Sequence, residues 1–169
     1  RDFAIVATAY GANFSDLKSS GKAGIFSLFF GVILSFSLGA IVAIAFGYDD
    51  PKDITTIGAG TVTFVVGPVS GSAIGASSEV IALSIAAGLV KSILVMTMTP
   101  LFAKRIGLDN PKSAMVFGGL MGTNSGVAAG LAAVDPKLVP YGAMTATFYT
   151  AVGCLLVPSV LFLLIDLMF

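Results

Sequence analysis

A nine-residue phrase occurs twice in this chain and decides most of what the chain can fold into. Gly67-Pro68-Val69-Ser70-Gly71-Ser72-Ala73-Ile74-Gly75 returns as Gly122-Thr123-Asn124-Ser125-Gly126-Val127-Ala128-Ala129-Gly130, with five identical positions at a constant offset of 55. Upstream, Asp49-Asp50-Pro51-Lys52 returns as Asp109-Asn110-Pro111-Lys112, each followed by a glycine (Gly58 and Gly118), at an offset of 60. Two ordered echoes separated by one short deletion mark a duplicated unit. An unbroken helix loses about 1 kcal/mol for each interior Gly and about 3 for Pro. Both copies therefore predict helices that break inside apolar sequence.

Apolar sequence is what this chain is made of. Hydrophobic residues form 56% of it and charged residues 11%, against roughly 25% charged in a soluble domain. The protein belongs in a lipid bilayer. Formal net charge is zero, and no basic stripe exists to attract nucleic acid. There is no His, which removes the commonest general base and the usual zinc ligand. The single Cys154 admits no internal disulfide. Ser–His pairings, metal-ligand clusters and phosphate-binding loops are all missing, so enzyme activity is the weaker hypothesis.

Three stretches are long and apolar enough to span a bilayer, which takes about 20 residues: 24–47, 80–102 and 143–165, the last with a kink expected at Pro158. Two others, 54–75 and 113–133, are apolar but littered with Gly, Ser and Thr, and read as broken-helix or re-entrant segments. Residues 3–10 read as the tail of a helix whose start is missing, and 11–22 as a polar connection. The expected fold is an all-α integral membrane protein, a single transport-type domain over 1–169 that lacks an N-terminal portion. If both broken segments are re-entrant, Lys18, Lys22, Lys104, Arg105, Lys112 and Lys137 fall on one face, which the positive-inside rule favours. The repeat is then inverted, with its interrupted helices meeting near the midplane as in many secondary transporters.

Each candidate group has two readings. The glycine phrases expose backbone N–H groups at half-helix N-termini, which attract anions, with Ser70, Gly71 and Ser72 in one copy and Thr123, Asn124, Ser125 and Gly126 in the other. Their four-residue glycine spacing also fits close helix packing. Lys91 lies about 16 Å from either end of its span at 1.5 Å per residue, and burial there demands a partner or water. It is either a counter-charge for an anionic substrate or half of a structural ion pair. Glu79, just after Ser77, either stabilises a helix N-terminus or helps hold a cation. A sodium site is expected near Thr61, Gly67, Ser77, Glu79 and Gly122. The run Thr55, Thr56, Thr61, Thr63 either lines a pore or bonds back to helix carbonyls.

From Ile57 to Leu156 the chain, with GAGTVTFVVGPVSGSAIGASSEVIALSIAAGLVKSILVM and then NPKSAMVFGGLMGTNSGVAAGLAAVDPKLVPYGAMTATFYTAVGCLL, closely resembles the M subunits (MadM) of bacterial malonate:sodium symporters. The resemblance implies sodium-coupled malonate uptake across the bacterial inner membrane, with a smaller membrane subunit (MadL) as partner. It brings no residue assignments, so the site residues above rest on their own chemistry. Malonate is a dianion at neutral pH, and a carrier must offer it positive character in a dry setting. The expected mechanism is alternating access around the broken helices. The competing readings are a membrane scaffold or regulatory subunit that does not itself transport, and a passive channel.

Overall fold

The structure, a computed structural model, describes residues 21–169. The expected helix tail at 3–10 and the polar connection as far as residue 20, Lys18 included, lie outside the described residues. All regular structure among the described residues is helical. Helix α1 is Gly21–Ala45, α2 Pro51–Val62, α3 Val66–Ile74, α4 Ser78–Ile106, α5 Pro111–Met121, α6 Asn124–Val134, α7 Val139–Leu156 and α8 Phe162–Asp166. A 3₁₀ turn, Pro136–Leu138, leads into α7, and a π-helical turn, Val157–Leu161, joins α7 to α8. Three stretches are long and apolar enough to cross a membrane: Ala23–Ala45, Ser78–Ile106 and Pro136–Asp166. They correspond to the three expected spans, the second running on past Pro100 to Ile106. The expected kink at Pro158 takes the form of the π turn.

Short polar motifs set the helix starts. Asp50 caps α2 by accepting the Lys52 N–H at 2.7 Å, with Pro51 in the first turn, where its missing N–H costs nothing. Asn110 does the same for α5, in a capping box with Ser113 (3.0 Å) and with Pro111 following. Asp135 opens the 3₁₀ turn in the same way, ahead of Pro136. The duplicated Asp/Asn-Pro-Lys is thus a helix-start signal, and it opens both broken segments.

The described chain divides into two compact units whose boundaries fall inside the long helices. Val32–Lys91 with Thr150–Phe169 form one, and Ser92–Tyr149 with the described residues up to Gly31 form the other. The two main blocks begin sixty residues apart, at Val32 and Ser92, the offset of the Asp/Asn-Pro-Lys echo. Each block holds one of the two broken segments.

In the unit built on Val32–Lys91, α2 and α3 fold back beside each other. A Cβ placed on Gly67 would lie 3.1 Å from the Gly60 Cα, and one on Gly71 would lie 2.7 Å from Thr56 Cγ2. The same side of α2 meets α4 so closely that a Cβ on Gly60 would fall on the Ser84 backbone carbonyl. Ile54, Ala59, Val62, Val66 and Val157 are fully buried here. In the unit built on Ser92–Tyr149, α5 and α6 both bear on Gly142 of α7. A Cβ there would lie 3.0 Å from Val127 and 3.2 Å from the Ala114 carbonyl. Ala114, Phe117, Val127, Leu131 and Ala146 form its core.

The outward faces of the long helices are strongly apolar. Phe26 is 69% exposed, Ile41 61% and Leu101 71%, a surface suited to lipid and not to water.

The close approach of α2 to α4 gives a direct test. Gly60→Ala places a methyl group on backbone that cannot move aside, and overpacking of this kind destabilises by about 1–3 kcal/mol. Unfolding of the purified protein in detergent should show that loss; unchanged stability would mean that the two helices do not meet at Gly60.

Candidate functional site

The first break is not where the glycine phrase alone would put it. In the first copy, Gly67 and Pro68 are already inside α3, and the chain leaves helical geometry earlier, at Thr63 (φ −154°, ψ 157°). Pro68 sits in the first turn of α3, where its missing N–H would have no intrahelical partner anyway. Gly75, with φ 76°, ends α3. In the second copy, α5 ends at Gly122 (φ 70°) and Thr123 is extended (φ −84°, ψ 110°). The structural equivalents are therefore Thr63 and Thr123, sixty residues apart. Gly67 accepts no such role: its N–H bonds the Thr63 carbonyl at 3.2 Å, just as Val127 bonds the Thr123 carbonyl at 2.8 Å.

At the first break, both helix ends find side-chain partners. The Thr63 hydroxyl accepts the N–H groups of Val65 (3.2 Å) and Val66 (3.1 Å), capping α3. Lys91 Nζ donates to the carbonyl of Val62, the last residue of α2, at 3.0 Å, and to Ser35 Oγ at 3.0 Å. The ammonium thus lies at the negative end of a helix dipole, on a carbonyl that the helix itself leaves unsatisfied. Thr61 Oγ1 lies 2.7 Å from the carbonyls of both Ser35 and Gly58, to which it donates. Lys91, Ser35, Thr61 and Val62 therefore form one polar cluster at the end of α2.

The second break is arranged differently. The Thr123 hydroxyl hydrogen-bonds Ser92 Oγ, and no side chain caps α6. The first N–H that finds a carbonyl is that of Val127, so the N–H groups of Asn124, Ser125 and Gly126 face outward from the helix start. Asn124 Nδ2 donates to Thr147 Oγ1 at 3.2 Å, while Asn124 Oδ1 is buried without a partner. Gly126 packs on Ser92, whose carbonyl would be 2.7 Å from an added Cβ. Tyr149, fully buried, lies against Gly122 and donates to the Gly31 carbonyl at 3.1 Å. An open helix start with aligned N–H groups and a positive dipole end is suited to a carboxylate.

The remaining candidates are placed as follows. Ser70 and Gly71 are buried in α3, whereas Ser72 and Ser125 are exposed. Ser77 accepts the Val80 N–H at 3.3 Å at the start of α4, and Glu79 lies exposed in the first turn. Gly67 and Gly71 pack against α4 and α2, and Gly126 and Gly130 against Ser92 and Thr99. Close packing is thus a role these glycines do fill. Sequence reasoning passed over Ser35, Ser92, Thr147 and Tyr149, polar residues scattered in apolar spans without a pattern of their own. It named Thr63 but not its place at the break, although the offset of 60 leads straight from Asp50-Pro51 and Asn110-Pro111 to Thr63 and Thr123.

Three bilayer-length apolar helices among the described residues define a multi-pass membrane protein. The whole chain, residues 1–169, matches the family model described as "Malonate/sodium symporter MadM subunit". The protein belongs to that family. No curated protein and no solved structure matches the chain.

The capping role of Thr63 is testable by itself. Thr63→Val leaves two N–H groups unsatisfied and should lower stability by about 1 kcal/mol, the usual worth of such a cap, while Thr63→Ser should retain it. Equal unfolding midpoints for the valine and serine variants would show that the hydroxyl caps nothing.

Proposed function

We propose that this chain is the substrate-handling subunit of a sodium-coupled malonate carrier of the bacterial inner membrane, working with a smaller membrane subunit (MadL). The observation that carries the reading is the uncapped start of α6. Three backbone N–H groups, from Asn124, Ser125 and Gly126, are aligned there at a break in otherwise apolar sequence. A carboxylate of malonate satisfies these donors and meets the positive end of the helix dipole, with Ser125 adding a hydroxyl. Thr123 and Asn124 are held in place by Ser92 and Thr147, so the donors are set before the anion arrives.

A dianion in a dry setting needs more than dipoles. Lys91, whose Nζ lies on the end of α2, is the proposed counter-charge. Inward movement of a dianion against a negative interior requires accompanying cations, and sodium, the coupling ion that the family name carries, provides them. The two broken segments supply the elements that alternate between inward and outward exposure, and an inverted arrangement of the two copies gives the transporter its two equivalent states.

The test is transport in proteoliposomes containing the complex. Labelled malonate should accumulate above its equilibrium level only under an inward sodium gradient; equal uptake when choline replaces sodium would overturn the coupling. In the same vesicles Lys91→Ala should weaken malonate binding by roughly tenfold or more, the effect of losing a dry charge–charge interaction. Near-native affinity in that variant would leave Lys91 with only its role on α2.

A further inference from the structure

Three hydroxyls in the Val32–Lys91 unit are buried and have no hydrogen-bond partner: Thr55 Oγ1, Thr56 Oγ1 and Ser70 Oγ. All three residues are 0% exposed. A hydroxyl left unsatisfied in the interior costs about 1–3 kcal/mol, and Ser or Thr in a helix normally escapes that cost by donating to the carbonyl three or four residues back. Thr61, Ser84, Thr97, Thr145, Thr147 and Ser159 all do so. Thr55, Thr56 and Ser70 do not, and they are neighbours across the α2–α3 pair. A Cβ on Gly71, the residue after Ser70, would lie 3.2 Å from Thr56 Oγ1.

The wall facing two of them is also short of internal hydrogen bonds. Val62 and Val66 both bear on Gly153, at 2.9 and 3.0 Å from the position of a Cβ there. Ser70 lies one turn beyond Val66 on α3, and Thr55 two turns before Val62 on α2, so both continue the face turned to this last span. One turn after Gly153 the span loosens into the π turn Val157–Leu161, which packs against both α2 and α3. Pro158 has no N–H to give the Cys154 carbonyl. π turns inside helices are frequent at functional sites; in this one the Val157 and Ser159 carbonyls accept the Phe162 N–H, and the carbonyl left without its helical donor is that of Cys154.

Hydroxyl and carbonyl oxygens without a carboxylate are the ligand set of a hard cation of single charge, since calcium and magnesium call for carboxylates. We propose that Thr55, Thr56 and Ser70, together with the Cys154 carbonyl oxygen just ahead of the π turn, bind a sodium ion. The proposal rests on the sodium-coupled reading of the chain and assigns the coupling ion to one copy of the repeat.

The experiment compares the wild-type complex with Thr55→Val and Ser70→Ala in nanodiscs and proteoliposomes, in sodium or choline chloride. In choline both variants should be at least as stable as wild type, because each removes an unsatisfied hydroxyl. Sodium should raise the melting temperature of wild type and raise that of the variants much less. In transport, the sodium concentration for half-maximal uptake should rise roughly tenfold or more in the variants, with the malonate KM at saturating sodium little changed. A sodium-induced stabilisation equal in wild type and variants, or variants destabilised alike in both salts, would overturn the site while leaving sodium-coupled transport standing. Wild-type uptake indifferent to sodium would overturn the carrier reading itself.

Discussion

Backbone polar groups inside apolar sequence must find partners, and this requirement governs the whole structure. A continuous helix meets it automatically, whereas a broken one exposes donors at one end and acceptors at the other. The chain breaks twice, at Thr63 and at Thr123. At the first break both helix ends find partners: Thr63 takes the donors of α3, and Lys91 takes a carbonyl of α2. At the second the threonine is turned toward Ser92, and the donors of α6 are left for something else. One device copied twice has thus become a sealed end and an open one.

The close packing of the glycines follows from the same requirement. Breaks tolerated in an apolar setting have to be enclosed by protein, and enclosure needs helices that approach nearly to backbone contact. Gly60 on Ser84 and Gly118 on Gly142 are such approaches. The Gly-rich phrases therefore do not choose between packing and function. Their glycines bring the helices together, and the residues beside them, Thr63, Ser70, Thr123 and Asn124, carry the polar chemistry.

Much of this was legible in the sequence. Composition placed the chain in a membrane, and the three long spans were found within a few residues. The offset of 60 set by Asp50-Pro51 and Asn110-Pro111 located both broken segments, because a cap followed by proline is a local signal that depends on no distant contact. The position of the first break was not legible from the glycine phrase, because a proline in the first turn of a helix starts that helix and does not break it. Nor was the partner of Lys91. Pairing between a lysine and a helix-end carbonyl 29 residues away depends on how α2 and α4 pack, and the isolated serines at 35 and 92 carry no pattern that marks them.

The protein is a member of the malonate/sodium symporter M-subunit family, and the open start of α6 is the place proposed for a carboxylate of its substrate. Hydrogen exchange on the reconstituted complex examines this directly. The amides of Asn124, Ser125 and Gly126 should exchange fast without ligand and slow markedly when malonate and sodium are added, while those of Val65 and Val66, already held by Thr63, should not change. Amides at 124–126 that exchange at the same rate with and without malonate would contradict the account.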